Sequence, residues 1–294
     1  MLSVLIPTYN YNVYPLVNEV HKQLDKSGAE FEIRVYDDAS NLHFDTENLL
    51  PELSHVIYKK MPQNMGRTAL RQKIAQDARY DWLLFMDSDV FPKDRFFISK
   101  LLKTLEKQKA DLYFGGVDVP VNPPGKDKVL RWKYGKERES KPLEERKKHP
   151  YKSFICGSML IQKSIFLETI RPLTQLKMYG LDTYFSYLLK KQQRNILHYQ
   201  NLVIHLGLET NADFIKKTDQ AIETYHFLVK KKLLPADYIK LTKIGQNITR
   251  IAPYFIRKLK YRLFKPLLLK NLLSEKPSLF LFDLYKLFYY LQLK

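Results

Sequence analysis

The tripeptide Asp87-Ser88-Asp89 is the first feature of this sequence that could do chemistry. It directly follows the apolar run WLLFM, which predicts a buried strand, so both carboxylates would emerge where that strand ends. Carboxylate oxygens are ligands that Mg²⁺ or Mn²⁺ prefers, together with the oxygens of a substrate phosphate. The alternative is a helix-capping turn, because Asp89 lies shortly before a predicted helix that begins near Pro92. The position after a strand favours the metal site.

Two further polar clusters could bind a nucleotide. The segment Asp37-Asp38-Ala39-Ser40 follows another predicted strand, where a carboxylate can accept hydrogen bonds from a base or a ribose. The alternative is an Asx turn or a helix cap. Arg67 and Arg71 open a predicted helix and would share one face of it, which suits a pyrophosphate group. The alternative there is an ordinary solvated basic face.

These clusters depend on strands and helices for their positions. Short apolar runs alternate with helical periodicity through the first half of the chain, which predicts an α/β fold with a mostly parallel sheet flanked by helices. Ligands of such sheets bind outside the carboxyl ends of the strands, where Thr8-Tyr9-Asn10 is also expected. The predicted strands are Ser3–Pro7, Glu32–Asp37, His55–Lys60, Trp82–Asp87 and Asp111–Gly115, and the predicted helices are Tyr14–Asp25, Gly66–Ala78 and Lys93–Lys107.

The second half of the chain has a different pattern. Residues 131–152 hold nine basic and four acidic residues with little apolar content, which predicts an exposed, mobile loop. From about residue 230 the sequence becomes basic and amphipathic with large aromatic residues, which predicts a domain boundary there. Between these segments the predicted elements are a strand at Phe154–Gln162, a helix near Leu181–Lys191, a strand pair around Asn195–Leu206 and a helix from about Asn211 to Lys232.

The composition limits the class of protein. With 294 residues, 45% of them hydrophobic and 27% charged, the chain is a globular protein and not a disordered, collagenous or disulfide-rich one. The single cysteine, Cys156, excludes an internal disulfide and a cysteine-based zinc site. No signal peptide or membrane-spanning stretch is recognised, so a cytoplasmic location is expected. The net charge of +18 indicates an anionic partner such as a nucleic acid, an anionic lipid or a phosphorylated substrate.

The motifs taken in order resemble those of the family 2 glycosyltransferases, enzymes of the GT-A fold. The resemblance covers residues 1 to about 228. The chain is most similar to bacterial members of the family that build surface polysaccharides. The resemblance implies a nucleotide-sugar-binding domain at residues 1–230. The change in composition predicts that a basic amphipathic helical region follows at residues 231–294. The motifs that carry the resemblance are SVLIPTYN, VYDDAS, NMGRTALRQ, WLLFMDSDVFP, ICGSM and YGLDTYFSYLL.

Donor-binding roles follow from the resemblance where the motifs match. Thr8, Tyr9 and Asp38 are expected at the nucleotide base and ribose, with Asp38 as partner of the uracil edge. Arg71 is expected to contact the base or the diphosphate, and Asp87 the ribose. The complete donor-binding set implied by the motifs is Pro7, Thr8, Tyr9, Asp38, Asn64, Gly66, Arg71, Asp87 and Ser88.

Metal and acceptor roles are implied in the same way. Asp89 would bind Mg²⁺ or Mn²⁺. His205, in LVIHLG, matches a position where several relatives have a histidine near the metal; the alternative is a core histidine on an apolar strand. Asp182 matches the family's general base, although Leu181 stands where the first acid of the usual pair would be, or that acid is deleted; the alternative is a helix N-cap.

The function that the resemblance implies is an inverting, metal-dependent transfer of a sugar. The donor would be a nucleotide-diphosphate sugar, expected to be a UDP-sugar, and the acceptor a glycan or lipid-linked hydroxyl in surface polysaccharide synthesis. One alternative is a sugar-phosphate nucleotidyltransferase, although SVLIPTYN has no glycine-rich phosphate loop. Another is a basic nucleic-acid-binding protein, but no reader motif is present and no nucleic-acid partner is expected. A dinucleotide oxidoreductase is disfavoured because no G-x-G-x-x-G follows the first strand.

The C-terminal segment, residues 245–294, carries ten Lys or Arg and only two acidic residues. Its basic and apolar residues interleave, which favours amphipathic helices lying on the cytoplasmic face of an anionic membrane. Pro253 and Pro266 are expected to break these helices into shorter segments. The alternative is that Leu279–Leu293 folds back on the catalytic domain, leaving a merely solvated basic face.

Overall fold

The structure, a computed structural model, describes residues 1–152, 154 and 156–294, which group into two compact units. The first unit comprises residues 1–119, 139–177 and 188–207, and the second comprises residues 120–138, 178–187 and 208–294. The predicted boundary near residue 230 does not coincide with this division, because residues 120–138 and 208–230 group with the C-terminal helices.

The strands and helices of the described residues have the following bounds. The strands are β1 (Leu2–Thr8), β2 (Phe31–Asp37), β3 (Val56–Lys60), β4 (Trp82–Met86), β5 (Val90–Pro92), β6 (Leu112–Phe114), β7 (Val117–Asp118), β8 (Ser158–Gln162), β9 (Ile196–His198) and β10 (Val203–His205). The helices are α1 (Tyr14–Asp25), α2 (Thr46–Leu49), α3 (Arg67–Asp77), α4 (Phe97–Lys107), α5 (Val129–Tyr134), α6 (Leu143–Lys148), α7 (Lys163–Ile170), α8 (Asp182–Lys191), α9 (Asn211–Lys230), α10 (Lys240–Ile251), α11 (Tyr254–Leu272) and α12 (Leu279–Gln292).

The first unit is organised around a mostly parallel sheet. In the described part of the chain its seven strands have the order β3-β2-β1-β4-β8-β6-β9. β1 is parallel to both of its neighbours, β2 and β4, whereas β8 is antiparallel to β4 and β6. A smaller sheet has the order β5-β10-β7. The five strands and three helices predicted for the first half of the chain are all present, with end points shifted by a few residues.

The core of the first unit explains why these strands read as apolar runs. In β1, Leu2, Val4 and Ile6 are buried in the same cluster as Leu16, Val20 and Leu24 of α1, whose four-residue apolar spacing gives that helix one inward face. Burying each such side chain stabilises the fold by about 1.5–3 kcal/mol relative to exposing it. A strand covered on both faces becomes continuously hydrophobic, as parallel strands are.

The second unit has a separate core made by helices. Leu130 of α5 and Ile215 of α9 are buried with residues of α11 and α12. The aromatic rings of Tyr134, Phe214 and Phe282 pack together there. The C-terminal helices are therefore folded against α5 and α9. No described helix has the length and apolar content needed to cross a bilayer.

Three predictions of local structure are wrong. The expected mobile loop at 131–152 instead contains most of α5, a π-helical turn at Gly135–Glu139, and α6. Within α6, Arg146 is 1% exposed. Its guanidinium donates to the carbonyl oxygens of Phe114 and Tyr199 at 3.2 and 3.0 Å, so a basic residue holds α6 on the sheet of the first unit.

The other two wrong predictions concern the pairing of two strands and the effect of Pro266 on a helix. The predicted strand pair around Asn195–Leu206 is two strands of different sheets, since β9 pairs with β6 and β10 with β5 and β7. Pro266 lies inside α11 without ending it; it is exposed, so water can reach the backbone carbonyl that its missing N–H leaves unbonded. The strand predicted over Phe154–Gln162 begins at Ser158, and residues 153 and 155 lie outside the described residues.

Candidate active site

A cavity of about 290 Å³ lies at the carboxyl edge of β1, β2 and β4 in the first unit. Parallel strands bring their following loops to one edge of a sheet, so the three polar clusters predicted from the sequence meet there. Arg67 and Leu70 are lining residues that the predicted donor set did not include, although the sequence had placed Arg67 on one helix face with Arg71. The cavity is lined by Pro7, Thr8, Tyr9, Asp38, Asn64, Gly66, Arg67, Leu70, Asp87, Ser88 and Asp89.

The loop after β1 is held in shape by Asn10, which has a positive φ of 52°. Its backbone N–H donates to Ser40 Oγ at 2.7 Å, and its side-chain oxygen accepts from the backbone N–H groups of Asn41 and Leu42. An asparagine tolerates this left-handed conformation better than most residues. Beside it Tyr9 is 48% exposed in the cavity lining, where its ring is available to a planar ligand.

The two adjacent aspartates after β2 have different partners. Asp37 is turned into the fold, where its carboxylate accepts from the backbone N–H of Ser40 at 2.7 Å and from the Tyr58 hydroxyl at 3.1 Å. Asp38 lines the cavity, and its two oxygens accept the backbone N–H groups of Met65 and Gly66 at 2.7 and 2.9 Å. Asp38 therefore fixes the loop that precedes α3.

That loop requires a glycine at its last position. Gly66, the N-cap of α3, has φ 83° and ψ 153°, a region that is essentially restricted to glycine. Asn64 adds a second tie, because its side-chain amide donates to the Asp38 carbonyl oxygen at 3.1 Å. The sequence motif NMGR is thus explained by the geometry of one turn that brings the start of α3 to the cavity.

Asp87 forms ion pairs with both arginines of α3. Arg67 approaches one carboxylate oxygen at 2.6 Å and Arg71 the other at 2.5 Å. Burial alone would raise the pKa of Asp87, but the charges of Arg67 and Arg71 outweigh burial and hold that pKa below its ordinary value. Arg71 is not a lining residue; it is buried and also donates to the Cys156 carbonyl oxygen at 3.1 Å. The arginine in the cavity lining is Arg67.

Asp89 is in contact with His205. These are the two residues for which the resemblance implied a role in metal binding. The distance between Asp89 Oδ2 and His205 Nε2 is 3.1 Å, and both side chains are partly exposed. The Asp89 carbonyl oxygen accepts the backbone N–H of Leu206 at 2.8 Å. A Cβ on Gly207 would lie 2.5 Å from the Asp89 side chain, so a glycine there allows the strand carrying His205 to approach the carboxylate.

The side chains of Asp89 and His205 fit a divalent cation that is also coordinated by a substrate. One carboxylate and one imidazole nitrogen suit Mn²⁺ or Mg²⁺ only if further oxygens complete the sphere. Within the described residues no group of three or more His, Cys, Asp or Glu could hold a metal by itself. Diphosphate oxygens of a ligand in the cavity are the natural source of the missing donors.

Asp182, the predicted general base, belongs to the second unit and is the first residue of α8. The preceding Gly180 has φ 84°, and a Cβ there would lie 2.9 Å from Ala221 of α9. The Tyr225 hydroxyl of α9 lies 3.2 Å from Oγ1 of Thr183, the residue after Asp182. Burial raises the pKa of Tyr225, the hydrogen bond with Thr183 lowers it, and the charge of Asp182 raises it further. In the same unit Glu209 is paired with Lys217 at 2.6 Å and with Arg131 at 3.3 Å.

Comparison with known proteins gives the following similarities. Residues 3–170 match the model of the family described as Glycosyl transferase family 2. The solved structure of GalNAc-T7 with UDP, GalNAc and Mn²⁺ is similar, with a TM-score of 0.51, 18% identity, and coverage of 71% of this chain and 43% of that chain. The crystal structure of S. aureus TarS is similar with a TM-score of 0.50, 16% identity, and coverage of 84% of this chain and 43% of that chain.

The match spans less than half of the length of these two neighbours. A comparison with the curated proteins found no match. The structural likeness agrees in fold with the mostly parallel sheet and flanking helices described above, which is the GT-A arrangement. Because the family model matches more than half of the chain, this protein belongs to glycosyltransferase family 2, a family of enzymes, and has the GT-A fold.

Proposed function

We propose that this protein transfers a sugar, with inversion, from a nucleotide-diphosphate sugar to a hydroxyl of a glycan or lipid-linked acceptor. The observation that carries the proposal is the composition of one cavity in the first unit. Its lining includes Asp38, Arg67 and Asp89, which offer a hydrogen-bond acceptor, a cation and a metal-binding carboxylate. These three groups match the base of the donor, its diphosphate and the divalent cation that binds with the diphosphate.

The donor half of the site is proposed to work as follows. Thr8, Tyr9 and Asp38 would bind the base and ribose, with Tyr9 presenting its exposed ring. Asn64 and Gly66 would shape the loop in contact with the donor. Arg67 would contact the diphosphate, since it lines the cavity, whereas Arg71 would act by holding Asp87 in place.

Asp89 and His205 are the residues that would hold Mn²⁺ or Mg²⁺. A bound divalent cation offsets negative charge on a departing diphosphate and so makes it a better leaving group. Asp89 and His205 supply two donors, and their contact distance of 3.1 Å keeps both within reach of one ion. Gly207 keeps the backbone clear of this carboxylate.

In the transfer step the acceptor oxygen attacks the anomeric carbon from the face opposite the diphosphate. A carbon–oxygen bond to the acceptor forms while the bond from that carbon to the diphosphate oxygen breaks, and the electron pair leaves with the nucleoside diphosphate. The proton of the acceptor hydroxyl is proposed to go to the Asp182 carboxylate. A positioned base of this kind contributes about 10²–10⁴ in rate. Glu209 is a poorer candidate because two cations already engage it.

The acceptor side of the proposal extends to the location of the enzyme. A lipid-linked acceptor in surface polysaccharide synthesis would be presented at a membrane. The basic C-terminal segment, with ten cations against two acidic residues in residues 245–294, supports a peripheral position on an anionic membrane surface.

The proposal is tested by measuring the melting temperature of the protein with UDP-GlcNAc, UDP-Glc, UDP-Gal and GDP-Man, each with Mn²⁺ and with excess EDTA. UDP and Mn²⁺ come first because the similar GalNAc-T7 structure contains them. We expect one UDP-sugar with Mn²⁺ to raise the melting temperature, since a ligand of the native state stabilises it by mass action. We also expect slow release of UDP from that sugar. If no nucleotide sugar stabilises the protein and none is hydrolysed, the proposal is wrong.

A further inference from the structure

Helix α11 has two apolar faces, and among the described residues only one of these faces is packed against other helices. Tyr261, Leu268 and Leu272 are buried in the core of the second unit. Phe255, Leu259, Leu263 and Leu267 lie on a different face, and their side chains are 68%, 55%, 63% and 67% exposed. Their constant spacing of four residues places them in one row along the helix. We call this row of four residues the α11 ridge.

The exposed apolar surface around the α11 ridge is larger than a solvated helix normally has. Ile256 and Phe264, beside the row, are also exposed, so the apolar surface is contiguous over most of the nineteen residues of the helix. Monomeric soluble proteins rarely expose patches of this kind unless the patch binds something. The ridge therefore needs an occupant.

The charges around the ridge identify the chemistry of that occupant. Residues 238–274 contain nine Lys or Arg and no Asp or Glu. Helical periodicity places Lys258 and Arg262 along one side of the ridge and Lys260 along the other, and all three are exposed. A second copy of the chain would bring the same cations together, which opposes self-association through this face. An anionic bilayer surface has the opposite charge and an apolar interior.

We infer that the α11 ridge inserts into the interface of an anionic phospholipid bilayer, with α11 lying parallel to the membrane plane. Six cations in the helix prevent it from spanning, but their long side chains can reach the headgroups while the ridge enters the acyl region. This inference rests on the peripheral location proposed above and names the residues that produce it. It does not depend on the identity of the sugar donor.

The experiment measures co-sedimentation of the full-length protein with phosphatidylglycerol and phosphatidylcholine vesicles. We expect binding to phosphatidylglycerol vesicles that weakens as salt is raised. Leu259→Gln/Leu263→Gln should lose most of this binding. Lys258→Gln/Arg262→Gln should weaken it about thirty-fold, since each cation contributes about one factor of five near an anionic surface. The control Phe96→Gln/Val121→Gln changes exposed apolar residues elsewhere and should bind as wild type does.

The outcomes distinguish a misfolded variant, a wrong membrane assignment and a wrong proposed function. All substitutions are at exposed positions, so unchanged circular dichroism and melting temperature will show that the variants fold. Equal vesicle binding by the ridge variants and wild type overturns the inference, and so does absence of binding by wild type. A wild-type dimer that becomes monomeric in Leu259→Gln/Leu263→Gln would assign the ridge to a second copy instead. UDP release in solution should be the same for all variants; its absence in wild type would contradict the proposed function and leave the ridge assignment intact.

Discussion

At the scale of single residues, the cavity is organised by carboxylates whose partners differ. Asp38 binds two backbone N–H groups, Asp87 binds two arginines, and Asp89 contacts a histidine. Each arrangement leaves a different chemistry available: a hydrogen-bond acceptor, a neutralised ion pair and a metal ligand. The following predictions separate these roles.

Replacing Asp89 tests the metal assignment. Asp89→Ala should lower the rate of sugar transfer or UDP release by about a hundred-fold or more, because charge stabilisation by a metal is worth several kcal/mol. Mn²⁺ should no longer stimulate the residual rate. Asp94→Ala, which removes a partly exposed carboxylate that pairs with Lys100, is the matched control and should keep wild-type activity. Undiminished wild-type activity in excess chelator would show that no metal is needed.

Asp182→Asn tests the proposed general base. The amide keeps the size of the side chain but cannot take the acceptor proton, so kcat should fall about 10²–10⁴-fold while donor affinity is kept. Donor affinity is measured by calorimetry and kcat by sugar transfer to the acceptor. Asp237→Asn, at an exposed position of the same unit, should change neither quantity. A kcat within a few-fold of wild type would mean that Asp182 only begins α8.

The two arginines of α3 should differ in their effect on stability. Arg71→Met removes a buried cation and leaves Asp87 with one partner, which should lower the free energy of unfolding by about 3 kcal/mol. Arg67→Met removes a cation that is 46% exposed and should cost less than about 1 kcal/mol, while it weakens donor binding more. Urea unfolding and donor calorimetry measure the two effects. Equal losses of stability would contradict the assigned division between a positioning and a ligand-binding arginine.

At the scale of elements, the cavity depends on the turn that precedes α3. Gly66→Ala should raise the Kd for the donor about ten-fold, because a Cβ at φ 83° moves the N–H groups that Asp38 accepts. Gly28→Ala is the matched control: Gly28 also has a positive φ of 67°, and neither glycine has an atom within 4 Å of an added Cβ. Both variants should lose stability, but Gly28→Ala should bind the donor normally.

Much of the fold around this turn can be predicted from the sequence. Strands such as β1 and β4 are continuous apolar runs, so their positions follow from composition, and parallel connections bring Asp38 and Asp87 to one edge. The apolar pattern alone does not show which of Asp37 and Asp38 faces the cavity, because that depends on the hydrogen bonds of Ser40 and Tyr58; the expectation of Asp38 came from the family resemblance. It also hides the buried state of Arg146, since charged residues ordinarily predict an exposed loop.

At the scale of the whole molecule, the free energy of unfolding should vary with pH through Asp219. This residue of α9 accepts a hydrogen bond from the Tyr285 hydroxyl of α12 at 3.0 Å. Burial, aided by the charge of Glu223, raises the pKa of Asp219 to about 6, although the hydrogen bond of Tyr285 and the charge of Lys265 act in the opposite direction. Between pH 4 and 6 the native state then binds more protons than the unfolded state.

The unfolding free energy should therefore fall as the pH rises from about 4 to 6 and change little through Asp219 above that. The loss is on the order of 1–2 kcal/mol for a partly buried carboxyl. Asp219→Asn should be more stable than wild type at pH 7 and should have a flatter profile in that interval. Urea unfolding at a series of pH values measures both, and an unchanged slope in the variant would contradict the assignment.

The family membership also decides between the readings that the sequence left open. A nucleotidyltransferase could share the sheet and the metal, and a nucleic-acid-binding protein would explain the basic charge, but the match over residues 3–170 is to a glycosyltransferase family. The excess of cations in the second half of the chain is then available for other contacts, of which the α11 ridge is our specific proposal.

The strand order of the main sheet has a consequence for synthesis of the chain. β4 lies beside β1 on one side and β8 on the other, and β8 is translated long after β4, with β5, β6 and β7 emerging first. Ribosomes add about 5–20 residues per second, so the free edge of β4 waits for several seconds with unpaired N–H and C=O groups. Such an edge can pair with other nascent chains. A chaperone that shields growing chains would protect this edge, and slower translation between β4 and β8 would prolong its exposure.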